Sequence, residues 1–194
     1  GDQQADWNGL RQQVNAVLSI SASGFSSWGG DIGGYFGKPT QDLYRRWLQF
    51  ATFTPLMRAH SNFYGKDPWN YGDASVKTFQ TCYWLRENLL DTIYSSALIS
   101  NKTGEPMVKS MAFAFPDESG LAAVDDQYVF CNALLVAPVL TEGAYYRTVK
   151  LPRGMWYDLW TGEAQTGDRT ITAYAPPQQT PVYIQAGAVL SGKV

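Results

Sequence analysis

A carboxylate set among glycines, an arginine and a histidine at alternate positions, and scattered tryptophans and tyrosines are the residues of this chain that could do chemistry. Asp31 lies within Gly29-Gly30-Asp31-Ile32-Gly33-Gly34. Glycines permit unusual backbone angles and let a ligand approach the chain closely, so this carboxylate could face a bound molecule. Gly-Asp and Asp-x-Gly are equally ordinary turn chemistry. The spacing is not that of a GxGxxG dinucleotide fingerprint. His60 is the only histidine, with Arg58 two residues before it. Alternate positions of an extended segment project to one side, so the pair could bond sugar hydroxyls or hold a carboxylate. A lone histidine also commonly makes structural hydrogen bonds, and with no second His or Cys nearby a metal site is not indicated. Asp2, read by spacing alone, is a solvated terminal carboxylate. Trp7, Trp28, Tyr35, Phe36 and Trp69 could offer flat faces to sugars or pack in an aromatic core. Asp125-Asp126 could suggest metal ligands but reads more simply as a solvated turn.

The elements that must position these residues change character near Lys102–Pro106. Before that point helical periodicity alternates with short apolar runs. Leu10, Val14, Val17 and Leu18 repeat at helical spacing behind Asp6, a candidate N-cap. A second helix follows Thr40, with Leu43, Trp47 and Phe50 on one face. A longer one is expected from Ala74 to Ser100, its apolar face carrying Val76, Phe79, Tyr83, Leu90, Ile93 and Ala97. The runs Gly24–Trp28 and Thr54–Arg58 read as strands, which makes an order of helix, strand, helix, strand, helix, as in β/α units on a parallel sheet. After Pro106 the period drops to two. Strands are expected over Met107–Phe115, Gln127–Leu140, Tyr146–Leu151, Trp156–Trp160, Thr170–Tyr174 and Val182–Leu190, an antiparallel sandwich. The fold class expected is thus α/β plus all-β, divided at residues 1–104 and 105–194.

Composition narrows the partners. The net charge is −2, and only 16% of residues are charged against 14% aromatic. That balance argues against nucleic acid, whose binders concentrate Lys and Arg. No apolar run approaches the roughly 18–20 residues of a membrane span. Cys82 and Cys131 sit in apolar surroundings and read as buried thiols; a disulfide is the alternative. The chain opens on Gly1, which reads as a cut or processed end. Two strands cannot close a parallel barrel, which takes eight, so the chain is expected to be a piece of something larger or to assemble with another chain.

In their order, these residues resemble glycoside hydrolase family 31, the α-glucosidases, α-xylosidases and related transglycosylases. The blocks run from Gly1-Asp2 and Asp6-Trp7 through Gly30-Asp31-Ile32-Gly33-Gly34-Tyr35-Phe36-Gly37, Arg46–Phe50, Pro55-Leu56-Met57-Arg58-Ala59-His60 and Asp67-Pro68-Trp69. They continue with Asp125–Tyr128, Leu134–Val139, Leu151-Pro152, Gly154–Asp158, Trp160-Thr161-Gly162 and Ile184–Gly187. The resemblance implies the C-terminal portion of a (β/α)8 barrel followed by a proximal antiparallel β-sandwich. It implies Asp2 as the general acid/base and Asp31 and His60 as ligands of the sugar in the cleavage subsite, with Tyr35 at the aromatic position beside Asp31; Arg58 and Trp28 are expected to be substrate-binding with them. No cofactor is implied. The family's Asn after the acid/base is Gln3 here, and its nucleophilic Asp belongs to an earlier strand with no counterpart in this chain. The implied substrate is an oligosaccharide or α-glycoside. The implied partner is the N-terminal half of the barrel, without which the chain is expected to be inactive. A non-catalytic carbohydrate-binding or structural module is the alternative.

Overall fold

The computed structural model describes residues 2–190; Gly1 of the Gly1-Asp2 motif and residues 191–194, the end of the second expected segment, lie outside it. Local capping sets the first two helices. Asp6 accepts from the Gly9 N–H at 2.7 Å to start α1 (Trp7–Ala22), and Thr40 accepts from Leu43 to start α2 (Gln41–Thr52). The long third helix is two. α3 (Asp73–Asn88) ends at Leu89, and α4 (Leu90–Thr103) begins anew. The break lets the pair serve two cores: α3 turns Cys82 toward one, while Leu89 and Ile93 enter another.

The β half is antiparallel throughout. β1 (Val108–Ser110), β2 (Tyr128–Phe130), β3 (Leu134–Val136), β5 (Met155–Asp158), β6 (Ala164–Thr166) and β8 (Val182–Gln185) form a sheet of order β1-β2-β3-β8-β5-β6, while β4 (Tyr146–Leu151) and β7 (Arg169–Tyr174) form a separate ribbon. Two expected strands are interrupted. Met107–Phe115 turns helical at α5 (Met111–Ala114), capped by the Ser110 hydroxyl, which accepts from Phe113 N–H. Gln127–Leu140 folds back on itself at Cys131-Asn132, both at positive φ, with Ala133 N–H donating to the Phe130 carbonyl. This is the twist-matched geometry of a tight hairpin turn. β6 was not anticipated, its Ala-Gln-Thr sequence carrying no apolar alternation.

The sheet separates two cores, and the period of two decides which side chain enters each. Tyr128, Phe130, Leu134, Val136 and Val182 face α1, α2 and α4. Their neighbours Val129, Leu135 and Tyr183 face the ribbon's Val149, Leu151 and Ala173, around the fully buried Trp156. α2 is buried on every side, because its other face joins Ile32, Tyr71 and Cys82 in a third core. Among the described residues no helix is long and apolar enough to cross a membrane.

Both cysteines are free and buried, and burial pushes each thiol up from 9.0 to about 11. Between those values the folded chain keeps protons that the unfolded chain has released, so stability falls as pH rises through the interval. Cys82→Ala is expected to flatten that fall by about 2 kcal/mol at pH 11, measured as the change in denaturant-unfolding free energy from pH 8 to pH 11 against the wild-type chain.

Candidate functional site

Three chain segments run side by side and bring most of the sequence candidates together. The Gln3 carbonyl accepts from the Tyr35 and Phe36 N–H groups, and Ala5 N–H donates to the Phe36 carbonyl. The third segment joins through Leu56 N–H to the Trp28 carbonyl, Ile32 N–H to the Arg58 carbonyl, and Asn62 N–H to the Tyr35 carbonyl. The expected strands Gly24–Trp28 and Thr54–Arg58 are therefore not strands. Among the described residues, parallel pairing is confined to single bridges, Gln4 with Phe36 and Asp31 with Arg58. Pro55 has no N–H to donate, and glycines at 29, 30, 33 and 34 weaken extended pairing.

What the glycines allow is close approach. A Cβ on Gly34, whose φ is +79°, would lie 2.8 Å from the Gln4 carbonyl oxygen and the Ala5 nitrogen. A Cβ on Gly29 would lie 2.3 Å from the Leu56 carbonyl oxygen. The loop carrying Asp31 is thereby pressed between the other two segments.

Asp31 is 5% exposed, and Arg58 Nε donates to its Oδ1 at 2.6 Å. A carboxylate fixed by an arginine is acceptor-only, and Oδ1 is the oxygen so engaged. Arg58 itself is exposed. His60 is also exposed, and its ring stands 5.4 Å from that of Tyr35, tilted by 44°. Tyr35 in turn meets Phe36 edge-on at 4.8 Å. Asp2 is exposed and adjoins Gln3, whose carbonyl is held by Tyr35 and Phe36. Trp28 joins through its backbone only, its half-buried ring packing on the helix–sheet core.

Lys66 completes this arrangement and was not a sequence candidate. It is 4% exposed, and its Nζ donates to the carbonyls of Gly33 (3.0 Å) and Gly37 (2.9 Å), pinning both ends of the turn after Asp31. Burial pulls its ammonium down to about 8, opposed by the charge of Asp31. Tyr44, stacked on Tyr71 at 4.2 Å, donates from its hydroxyl to the Lys66 carbonyl. In sequence, Lys66 sits in a polar loop and carries no sign of burial.

The Asp125-Asp126 pair is structural. Asp126 pairs with Arg147 at 3.1 Å, and Arg147 also donates to the Asp126 and Pro138 carbonyls. Among the described residues no cluster of His, Cys, Asp and Glu could hold a metal.

Beside Arg58 lies a cavity of about 530 Å³ lined by Ile32, Leu56, Trp69, Phe79 and Tyr83. Part of the apolar stripe expected to be the buried face of α3 and α4 is turned outward here: Tyr83 and Leu90 are about half exposed, and Trp84 and Tyr94 beside them about two-thirds, whereas Ile93 is buried and Phe79 and Ala97 pack partly buried on the cores. The inward face of α3 is instead Ser75, Thr78 and Cys82.

Comparison with known proteins covers nearly the whole chain. The pattern of the Glycosyl hydrolases family 31 TIM-barrel domain matches residues 1–96, and that of the Glycosyl hydrolase family 31 C-terminal domain matches residues 104–190. An isomaltosyltransferase of Sporosarcina globispora is 36% identical over 98% of this chain and 19% of its own length. An alpha-xylosidase of Saccharolobus solfataricus is 33% identical over 98% of this chain and 27% of its own. The solved structure of a cycloalternan-forming enzyme from Listeria monocytogenes, in complex with a pentasaccharide substrate, superposes with a TM-score of 0.95 at 37% identity, covering 98% of this chain and 19% of that one. The chain thus spans about a fifth to a quarter of the length of these relatives.

Proposed function

The chain belongs to glycosyl hydrolase family 31, and on that premise we propose that it supplies the acid/base and the sugar-holding residues of a retaining α-glycosidase whose nucleophile lies on polypeptide outside it. Residues 1–104 are read as the end of a (β/α)8 barrel and residues 105–194 as the β-sandwich domain after it. Two parallel bridges separated by helices support the first assignment. The outward apolar face of α3 and α4 supports a further layer of polypeptide, since exposed patches of this kind mark contact surfaces.

In this reading the substrate is an α-linked glucoside or related glycan. Asp2 protonates the glycosidic oxygen while the external carboxylate attacks the anomeric carbon, then takes a proton from water or an acceptor sugar. Asp31 accepts hydrogen bonds from the sugar's hydroxyls with Arg58 fixing it in place. His60 donates to the same ring, and Tyr35 walls the site. Trp28, expected to bind substrate, instead packs its ring on the helix–sheet core and holds the Leu56 segment through its carbonyl.

The observation that carries this proposal is Asp31: a nearly buried carboxylate, aligned by an arginine and backed by the Lys66 clamp, opening beside the Tyr35–His60 pair. So much positioning of one charge is more than a turn requires. The test is complementation. Co-expressed with the barrel polypeptide encoded upstream, the chain is expected to hydrolyse an aryl α-glucoside with retention, while the chain alone does not. Asp31→Ala should lower kcat/KM of the complemented enzyme by about 100-fold or more, because hydroxyl bonds that tighten in the transition state supply several kcal/mol. Turnover that needs no upstream polypeptide, or a soluble complex with no turnover, would reject the reading.

A further inference from the structure

The β4–β7 ribbon lies on the opposite side of the six-stranded sheet from α1, α2 and α4. Its inner residues Val149, Leu151 and Ala173 fill the second core. Its outer face is not a random solvated surface. The register pairs Tyr146 with Tyr174, Thr148 with Thr172 and Lys150 with Thr170, and residues directly opposite in an antiparallel pair share a face. The face therefore runs from a tyrosine pair, through a threonine pair, to a lysine and threonine, over roughly 13 Å of strand.

The two tyrosines are 60% and 56% exposed, with ring centroids 5.3 Å apart. At the other end Lys150 and Thr170 border a cavity of about 350 Å³, also lined by Asp117, Glu118, Arg153 and Asp168. Lys150 donates to the Gly120 carbonyl, and the Glu118 carboxylate accepts from Arg153 N–H. The carboxylates of Asp117 and Asp168 accept no hydrogen bond among the described residues and remain available as acceptors. With Arg169 included, three cations face three carboxylates around this cavity, so it carries no net charge.

We infer that this face is a second, non-catalytic binding track for a neutral oligosaccharide chain. A tyrosine presents an apolar ring and a polar tip, which suits the two kinds of surface on a sugar ring. Threonine hydroxyls and two free carboxylates suit a ligand made of vicinal hydroxyls. The balanced charge disfavours a polyphosphate, which the free carboxylates would repel, and the threonines and lysine between the aromatic pair and the cavity disfavour a purely apolar partner. Choosing an α-glucan as the chain rests on the function proposed above.

Affinity electrophoresis of the full chain through native gels containing soluble dextran or soluble starch tests this. The chain is expected to be retarded by at least one of the two polymers. The Tyr146→Ala/Tyr174→Ala double variant should weaken that retardation by roughly fivefold or more, the loss of two aromatic contacts. Thr148→Glu, which obstructs the middle of the track without touching the rings, should do the same. Asp31→Ala should leave the tyrosine-dependent share of the retardation intact, and the tyrosine variants should leave aryl α-glucoside hydrolysis by the complemented enzyme intact, so failure of this inference and failure of the catalytic reading show in different measurements. No retardation, retardation of both track variants as strong as that of the wild-type chain, or concentration-dependent dimerisation that the tyrosine variants abolish would each overturn it.

Discussion

Asp2→Asn in the complemented enzyme is expected to lower turnover of an unactivated α-linked disaccharide by about 10²–10⁴-fold, the usual contribution of a positioned general acid/base. Asparagine keeps the shape of the side chain and removes the acidic proton, so a purely structural role would leave the rate within a small factor. The dependence on leaving group separates the two steps. A dinitrophenyl α-glucoside needs little help from an acid, so its first step should survive the substitution. The second step, in which Asp2 takes a proton from water, should then limit the rate. A burst of phenolate followed by slow turnover is the expected trace, and azide, which needs no deprotonation, should accelerate it. A uniform small effect on all substrates would remove Asp2 from the mechanism.

How far the fold was legible depended on whether the deciding signal was local. Asp6 and Thr40 are side chains that cap the backbone three residues on, and both helices they start could be read from the sequence. The strand pair β4–β7 was legible within a residue at each end, because its alternation is complete on one face. The hairpin at Cys131-Asn132 was not: its two positive-φ residues are not the Asn-Gly pair that signals such a turn, and the hydrophobic run is interrupted there by Asn132 alone. Nor was the division of the third helix, whose cause is tertiary, one helix turned toward two cores. Apolarity at Tyr83 and Leu90 gave no indication of which neighbour would cover them, and within this chain they face outward.

The site divides in the same way. Asp31, Arg58, Tyr35 and His60 stood out by residue type and glycine context, and the fold sets them on adjoining segments. Their supports did not stand out. Lys66 gains its meaning from two carbonyls about thirty residues away in sequence. Arg86, read only as part of a helix, grips the carbonyls of Thr52, Thr54 and Pro55 and so sets the approach of the segment leading to Arg58. A cation that serves backbone carbonyls has no partner residue type to betray it.

The largest expected loss of stability follows from the same kind of contact. Arg46 is 2% exposed on α2, and its guanidinium donates to four carbonyls of the β half: Ala144 (2.9 Å), Ala175 (2.8 Å), Pro176 (3.0 Å) and Gln179 (2.9 Å). It also reaches Gln49, which itself donates to the Pro177 carbonyl. Burial pulls the guanidinium down to about 10, with Asp42 opposing, so the group remains charged at neutral pH. Its desolvation is offset by those carbonyl dipoles, by Gln49 and by the nearby Asp42. Replacing a buried ion pair by apolar residues can be neutral because both partners go; here the partners are backbone and stay. Arg46→Met fills most of the volume but leaves the Ala144, Ala175 and Gln179 carbonyls without their donor, each at about 1–3 kcal/mol if it stays dry, while the Pro176 carbonyl keeps the Gln179 N–H. The expected cost is about 3–5 kcal/mol, in the range for breaking a buried charged network, or a Tm lower by about 10 °C. Because the lost bonds join α2 to the loops flanking β4 and β7, the β half should also lose amide protection selectively around residues 144 and 175–179. Arg46→Lys, with one ammonium in place of a planar fork, should recover only part of the loss. A melting temperature within 2 °C of wild type for Arg46→Met, using the uncertainty of about 1 kcal/mol this represents for a chain of this size, would show that water replaces the guanidinium and that the two halves are held by their shared apolar core alone.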